Sequence, residues 1–360
     1  MADLTALLTA AVERRGSDLH VKVGSAPVVR VDGRLVPLDV APLTQSQVEA
    51  VIEGMAPAAK AAEIAETGEA DFALSIAGLG RFRVNVHRQR GSTGFVVRRV
   101  LPGTPSFERL GLPPAVRAFA DQPDGLILVT GSAGCGKTTT AAALIDHINT
   151  TRACSLLTIE DPVEVLHPDK AAFVVQREVG SDTHDFAAAL ARAWRQDPDV
   201  VFVSDVREPM VVQSCLELAE TGHLVIACLP TLGVEETIER VLDFFSPSKQ
   251  RAVLTTLARV LRGIVSQRLL DRADGRGRVP CVEVLVGTPR IADRLAGGGQ
   301  PVQLLDLVDA SELAGMQTFD QSLEQLCRAG LVTVVDALAA AGDPPELKIR
   351  LQQAGVLTGS

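Results

Sequence analysis

The sequence contains no tyrosine and one tryptophan, and aromatic residues make up 3% of its 360 residues. Proteins that bind single-stranded nucleic acid by base stacking need exposed aromatic rings, so there is little material here for that class. The formal net charge of -9 also argues against a generally basic nucleic-acid surface. We therefore expect no nucleic-acid partner.

Long apolar runs and closely spaced cysteines are missing as well. No run approaches the roughly 18 apolar residues of a membrane-spanning helix, and the N-terminus lacks a charged-then-apolar signal segment. The six cysteines are widely spaced, without a C-x-x-C pair, which favours reduced thiols over disulfides or metal ligands. These features predict a cytoplasmic protein.

The strongest functional signal is the stretch 126–140, an apolar run that turns through three glycines into a lysine and a row of threonines. It satisfies the P-loop (Walker A) pattern G-x-x-x-x-G-K-[ST] between a strand-like and a helix-like flank. Backbone N–H groups of such a loop face phosphate oxygens, the lysine adds a cation, and the threonine hydroxyl suits Mg2+. The predicted nucleotide-binding residues are Gly131, Ser132, Ala133, Gly134, Cys135, Gly136, Lys137, Thr138 and Thr139.

The rest of the chain divides into two predicted regions, and the loop lies in the second of them. Residues 1–100 mix helical periodicity at 3–15 and 45–65 with short alternating strands, one pair joined by an Asp32-Gly33 hairpin signal, and predict a compact mixed α/β domain. The proline- and glycine-containing stretch 101–105 is its predicted linker.

The second region alternates helices with continuous apolar runs, as expected for strands buried on both faces of a parallel sheet. It predicts an α/β core over residues 106–285, and a mostly helical C-terminal region over 286–360. After about residue 250 we expect helices, interrupted by one strand at 279–286. The other strands are predicted at 126–130, 155–159, 200–204 and 224–229.

Acidic residues follow two of these strands. Glu160, Asp161 and Glu164 come just after the second strand, and Asp205 comes just after the third. Strand ends near a phosphate loop are where Mg2+ ligands and water-activating carboxylates must lie, although each carboxylate alone could equally occupy a solvated turn. His223 opens the fourth strand and is a further catalytic candidate, with structural hydrogen bonding as its alternative.

Several segments, in order along nearly the whole chain, resemble the secretion-superfamily ATPases and, within them, the type IV pilus twitching-motility (retraction) ATPases. The matching segments are Ser17-Asp-Leu-His20 through Arg30-Val-Asp-Gly33, Gly80-Arg-Phe-Arg-Val-Asn-Val86, the phosphate loop, the aspartate box Thr158-Ile-Glu-Asp-Pro-Val-Glu164, Arg195-Gln-Asp-Pro-Asp-Val-Val201, the histidine box Glu220-Thr-Gly-His-Leu224, Ile264-Val-Ser-Gln-Arg-Leu-Leu270 and Gly315-Met-Gln-Thr-Phe-Asp-Gln321.

The resemblance implies a homohexameric ring whose subunits join a PAS-like N-terminal domain to a RecA-like ATPase domain. Such rings dock on an inner-membrane platform protein at the cytoplasmic base of a pilus machine; a paralogous pilus ATPase is a further candidate partner. ATP and Mg2+ are the implied cofactors.

The resemblance also implies roles for single residues. Lys137 and Thr138 would hold the phosphates and Mg2+. Glu160, Asp161 and Glu164 would serve the metal and the attacking water. Arg83 and Arg98 match arginines that reach the terminal phosphates, with ordinary exposed strand charges as the alternative. The implied catalytic groups are Glu160, Glu164, Asp205 and His223, and the implied metal ligands are Thr138, Asp161 and Asp205.

The chain departs from the pattern of the retraction ATPases in several places. Their Gly-Glu-Met-Arg-Asp is here Ser204-Asp-Val-Arg-Glu208, so that Asp205 replaces the catalytic glutamate; a carboxylate displaced by about 1 Å can cost on the order of 100-fold in rate. Pro230 replaces the second histidine of the histidine box, Ala292 replaces an arginine, and Cys135 stands where serine is common. The thiol of Cys135 lies beside a predicted helix N-terminus, but a filler role is the simpler interpretation.

The sequence thus favours an ATP-hydrolysing hexameric motor that powers pilus retraction. The alternative is a nucleotide-binding, weakly or non-hydrolysing accessory or regulatory ring subunit of a pilus or type II secretion-like system. A RecA-like nucleic-acid motor is opposed by the acidic charge and the scarce aromatic residues.

Overall fold

A computed structural model describes residues 4–31, 34–100, 103, 105–297, 304–310 and 315–357. The chain divides into two compact units, residues 1–103 with 164–166, and residues 104–163 with 167–360. The Asp32-Gly33 turn and most of the expected linker, residues 101, 102 and 104, lie outside the described residues.

The first unit is a six-stranded antiparallel sheet with helices, in the strand order β3-β2-β1-β6-β5-β4. Apolar side chains such as Leu8, Val29, Val48 and Phe95 form its core. The elements are α1 (Leu4–Glu13), β1 (Asp18–Lys22), β2 (Val28–Val31), β3 (Arg34–Pro37), α2 (Gln45–Met55), α3 (Ala58–Thr67), β4 (Ala70–Ile76), β5 (Gly80–Gln89) and β6 (Ser92–Val100).

The prediction of one helix over 45–65 is wrong, because the structure has two helices there. Ala56 has an extended backbone (φ -77°, ψ 129°), and α3 begins after Pro57. Proline lacks an N–H and disfavours the helical conformation in the preceding residue, which accounts for the break.

The second unit is built on a seven-stranded sheet in the order β13-β12-β7-β11-β10-β8-β9. All neighbouring strands are parallel except β12 and β13. The strands are β7 (Gly125–Thr130), β8 (Ser155–Glu160), β9 (Phe173–Glu178), β10 (Val200–Val203), β11 (Leu224–Leu229), β12 (Leu261–Asp271) and β13 (Arg278–Val286).

Helices cover both faces of this sheet and continue into a helical C-terminal region. They are α4 (Phe107–Leu110), α5 (Pro114–Ala118), α6 (Lys137–Thr151), α7 (Phe186–Ala193), α8 (Pro209–Glu220), α9 (Val234–Asp243), α10 (Pro247–Val260), α11 (Pro289–Ala296), α12 (Leu304–Asp309), α13 (Phe319–Arg328), α14 (Val334–Ala340) and α15 (Pro344–Gln353). The predicted α/β class and helical C-terminal region are confirmed.

The expectation of a helical segment directly before the strand at 279–286 is wrong. Residues 261–271 form β12, which pairs with β7 on one side and β13 on the other. The β-branched residues Ile264 and Val265 are fully buried there, and tertiary pairing decides the conformation. The strand β9 was also missed, whereas the four predicted buried strands are present as β7, β8, β10 and β11.

Candidate nucleotide-binding site

The predicted phosphate loop joins the end of β7 to the start of α6. The backbone N–H of Gly131 donates to the carbonyl oxygen of Leu229 (3.3 Å), which fixes the loop to the end of β11. Gly131 has φ +144°, and a Cβ there would collide with the sulfur of Cys135 and the carbonyl oxygen of Gln267. The conformation therefore needs glycine at this position. Residues 132–134 of the loop are exposed, whereas Cys135 is buried as a filler residue.

Lys137 is the first residue of α6, and its side chain folds back over the loop. The ammonium group donates to the carbonyl oxygens of Gly131 (2.7 Å) and Ser132 (2.9 Å). A phosphate oxygen would be a stronger acceptor than these neutral carbonyls, because the hydrogen bond would then join two charges. Thr138 and Thr139 follow, half-buried, in the first turn of α6, where the helix dipole favours an anion.

A second layer of contacts comes from β12. The side-chain amide of Gln267 donates to the carbonyl oxygen of Cys135 (2.7 Å), and its oxygen accepts from the hydroxyl of Thr140 (2.7 Å). One residue earlier, the hydroxyl of Ser266 lies 2.8 Å from that of Thr130 at the end of β7. The sequence analysis gave these residues no role; a polar pair inside an otherwise apolar run was the available signal.

Glu160 ends β8 and is 3% exposed. Its Oε1 accepts hydrogen bonds from the hydroxyl of Thr158 (2.6 Å) and the side-chain amide of Gln176 (2.9 Å). These two bonds hold the carboxylate in one orientation at the edge of the sheet. Gln176 lies on β9, the strand that the sequence analysis missed.

The other two acidic residues of this edge lie close by and more exposed. The backbone N–H of Asp161 donates to the hydroxyl of Ser204 (3.1 Å), directly after β10. Asp205 forms an ion pair with Arg207, with 2.7 Å between Oδ2 and Nε.

The buried thiol of Cys228, near the end of β11, lies close enough to several of these groups for them to affect its pKa. Burial raises its pKa to about 12; Lys137 acts in the opposite direction, and Asp205, Cys135 and Glu160 raise it further. Because β7, β8, β10 and β11 are parallel, their carboxyl ends meet at one edge, where the loop and these carboxylates lie.

One predicted catalytic residue, His223, is not brought to this edge. His223 lies at the amino end of β11: its carbonyl oxygen accepts from Gly125 (3.0 Å), and its Nδ1 lies 3.0 Å from the carbonyl oxygen of Leu218. The six residues of β11 span about 20 Å, so His223 is at the opposite edge from the loop. Its catalytic role stays a prediction that would require a neighbouring subunit.

Three further predicted site residues belong to the first unit. Glu164 is exposed and falls within residues 164–166 of that unit. Arg83 and Arg98 face each other as paired residues of β5 and β6. The Nε of Arg98 lies 2.7 Å from Oδ1 of the buried Asp18.

The oxygen atoms of the edge fit a magnesium-bound nucleotide. A threonine hydroxyl in the first helical turn and nearby carboxylates are the hard oxygen ligands that Mg2+ takes together with substrate phosphates. Over the described ranges, no group of three or more His, Cys, Asp or Glu side chains could hold a metal ion alone.

No helix within the part of the chain that the structure describes is both long and apolar enough to span a membrane.

The fold and the loop define a P-loop protein of the α/β class with a separate N-terminal unit. The family model described as "Type II/IV secretion system protein" matches residues 2–294, and the chain belongs to this family.

Similar proteins cover most of the chain. It is 38% identical over 346 residues to the type IV pilus ATPase PilU of Pseudomonas aeruginosa, covering 96% of this chain and 90% of PilU. It is 37% identical to the type IV pilus retractation ATPase PilT of the same organism, covering 95% of this chain and 99% of PilT. The predicted family is confirmed.

Solved structures agree with the fold. The crystal structure of the pilus retraction motor PilT with bound ADP superposes with a TM-score of 0.89 at 38% identity, covering 97% of this chain and 100% of that one. The ATPase DotB of Legionella pneumophila superposes with a TM-score of 0.75 at 23% identity, a likeness of fold alone.

Proposed function

We propose that this protein is an ATP-binding and Mg2+-dependent ATP-hydrolysing motor of the pilus retraction class. It works as a homohexameric ring at the cytoplasmic base of a type IV pilus machine, against an inner-membrane platform protein. The observation that carries the proposal is the assembled edge of the second unit. There, Lys137 lies over the phosphate loop, and Glu160, Asp161 and Asp205 follow the neighbouring strands.

The residues divide the work by their chemistry. The loop N–H groups and Lys137 bind the phosphates, as in other P-loop proteins. Thr138, Asp161 and Asp205 hold Mg2+, which neutralises phosphate charge when bound. Glu160 orients the attacking water together with Glu164 and Asp205. Its two hydrogen bonds fix the direction in which it accepts a proton from that water.

The N-terminal unit contributes cations in this proposal. Arg83 and Arg98 reach the terminal phosphates of a nucleotide in the ring, where arginine offers a planar fork for phosphate oxygens. The functional division runs over residues 1–100, a linker at 101–105, the ATPase core at 106–285 and the helical region at 286–360. A paralogous pilus ATPase is a proposed partner of the ring.

One observation favours a second candidate function. Asp205 is one methylene shorter than the glutamate of the retraction ATPases, and Arg207 holds it in an ion pair. A carboxylate that is displaced from its usual place is less well positioned for the reaction. A ring subunit that binds ATP but hydrolyses it weakly, in an accessory or regulatory role, is the alternative.

Phosphate release by the purified protein in Mg2+ tests the two functions. The motor predicts turnover that Lys137→Ala abolishes. Binding of ATP with no release above the Lys137→Ala background would instead favour the accessory subunit. A gain of about 100-fold in Asp205→Glu would show that the shortened carboxylate limits the rate. A wild-type protein that binds no nucleotide would contradict both functions.

A further inference from the structure

Ser204 directly follows β10, one residue before Asp205, and contacts the turn that follows β8. Its backbone N–H donates to the carbonyl oxygen of Ile159 (3.0 Å), which continues the parallel pairing of the two strands. Its hydroxyl accepts a hydrogen bond from the backbone N–H of Asp161 (3.1 Å). Ser204 is therefore bonded to β8 through its main chain and to the acidic turn through its side chain.

Hydrogen bonds fix the turn on both sides of Asp161, in addition to the contact with Ser204. On one side, Thr158 and Gln176 fix the carboxylate of Glu160. On the other, the backbone N–H of Val163 donates to the carboxylate of the buried Glu178 (2.9 Å). Proline at position 162 has no N–H. The hydrogen bond from Asp161 to Ser204 joins the turn to the residue that follows β10.

The retraction-ATPase pattern that this sequence resembles has glycine where this chain has Ser204. Glycine has no side-chain acceptor for the N–H of Asp161. The same short segment that loses a methylene at Asp205 thus gains a hydrogen bond to Asp161.

We propose that Ser204 is a positioning residue that sets the place of the Asp161 carboxylate relative to Asp205. With Asp205 shortened, Asp161 carries a larger share of Mg2+ binding, and the bond from its backbone to Ser204 keeps that carboxylate at the metal. This inference rests on the proposed function, because it concerns the metal that accompanies ATP. It assigns no proton transfer to Ser204 itself.

The test compares ATP affinity in Mg2+ with ATP affinity in EDTA, using displacement of a fluorescent ATP analogue from the full-length protein. Ser204→Ala removes the acceptor but keeps the Cβ, and Ser204→Thr keeps the hydroxyl. We expect Ser204→Ala to weaken affinity about fivefold in Mg2+, the value of one hydrogen bond, with affinity in EDTA unchanged. Ser204→Thr should retain the wild-type Mg2+ response.

Two controls separate positioning from a structural effect. Ser214→Ala removes a half-buried hydroxyl from α8 and should change neither affinity. In an Asp161→Asn background, Ser204→Ala should have no further effect on the Mg2+ response, because the group that it positions is no longer an anionic ligand.

Each contrary result has a distinct meaning. An equal Mg2+ response in Ser204→Ala and wild type would overturn the positioning role. An equal loss of affinity in Mg2+ and in EDTA would also overturn it, since Ser204 would then support only the local fold. A wild-type protein that binds ATP under neither condition would overturn the proposed function and, with it, this inference.

Discussion

Gln267 of β12 grips the phosphate loop at two points, through a donated hydrogen bond to the carbonyl oxygen of Cys135 and an accepted one from the hydroxyl of Thr140. The two contacts lie on either side of Lys137, one in the loop and one in α6. The side chain is 4% exposed, so water cannot easily replace either bond. The geometry of the nucleotide loop therefore depends on a strand more than 100 residues further along the chain.

Gln267→Glu tests the contribution of these two hydrogen bonds to ATP binding. A carboxylate can still accept from Thr140, but it cannot donate to Cys135, and it places negative charge against a carbonyl oxygen. An unpaired buried polar group costs about 1–3 kcal/mol. We expect ATP affinity, measured by isothermal titration calorimetry, to fall at least tenfold. Gln325→Glu, the same change at an exposed position of α13, should bind ATP as wild type does. Unchanged ATP affinity in Gln267→Glu would contradict the proposal that the hydrogen bonds of Gln267 maintain the loop for ATP binding.

Gly131→Ala tests the close approach inside the loop. The added Cβ would collide with the sulfur of Cys135 and the backbone oxygen of Gln267, at a φ of +144° that side chains rarely adopt. We expect no detectable ATP binding and a lower melting temperature by differential scanning fluorimetry. Gly134→Ala is the matched control: it also has positive φ (+76°), but its added Cβ would meet open space.

Gly134→Ala should therefore cost only backbone strain, about 1 kcal/mol, and retain most of the binding. In the double variant Gly131→Ala with Cys135→Ala, the sulfur is removed but the oxygen of Gln267 remains. Binding should stay poor. Full recovery of ATP binding in the double variant would show that the Cys135 sulfur alone makes glycine necessary at position 131.

How far the sequence predicts this site depends on the range of the interactions. The loop is local: its glycines, Lys137 and Thr138 are neighbours in sequence, and their pattern predicts both the turn and its chemistry. The positions of Glu160 and Asp205 could also be predicted, because parallel strands place their carboxyl ends together. Gln267 and Gln176 were not, since their contacts depend on β12 and β9. The sequence predicts a helix where β12 lies and gives no signal for β9.

The direction of β11 explains the different outcome for His223. His223 precedes the strand 224–229 in the sequence, so a parallel sheet whose carboxyl ends meet at the phosphate loop places it at the opposite edge. The register agrees, since residue 224 pairs with Gly125 and residue 229 with Thr130. The break at Pro57 could also have been predicted, because proline is a local signal that divides the helix.

Glu283 of β13 should be better tolerated as glutamine than as alanine. It is 5% exposed, and its Oε1 accepts from the backbone N–H of Val234 at the start of α9 (2.7 Å). Burial raises its pKa, against the opposing effect of the Val234 hydrogen bond. A raised carboxyl pKa means that this group favours the folded state below its ordinary pKa of about 4.5. That contribution is lost as the pH rises through the raised value.

At pH 8, Glu283→Gln keeps an acceptor oxygen and removes the buried charge, so its melting temperature should equal or exceed that of wild type. Glu283→Ala leaves the N–H of Val234 unpaired and should lose about 1–3 kcal/mol of stability. Glu53→Gln, on the exposed side of α2, controls for the loss of one charge. If glutamine proved as damaging as alanine, the ionised carboxylate would have to be stabilising, contrary to the direction of the pKa shift.

His167 should make the protein sensitive to acid. It is 7% exposed, and burial lowers its pKa from 6.5 to about 4; Asp146 raises it and Lys170 lowers it. A lowered histidine pKa means that folding favours the neutral ring. The stabilisation is present above pH 6.5 and is lost as the pH falls towards 4, because the unfolded chain takes up the proton first. Between pH 8 and pH 5 this single group should cost about 2 kcal/mol of folding free energy.

Urea unfolding of wild type, His167→Leu and His167→Gln at pH 8, 6.5 and 5 measures this cost. Both variants lack the titrating ring, and the backbone N–H at position 167 can still donate to the side chain of Gln176. Whatever their stability at pH 8, they should lose about 2 kcal/mol less than wild type on going to pH 5. His184→Gln, at a side chain that is 92% exposed, should follow the wild-type curve. Parallel loss of stability in wild type and both His167 variants would assign the acid sensitivity to other groups.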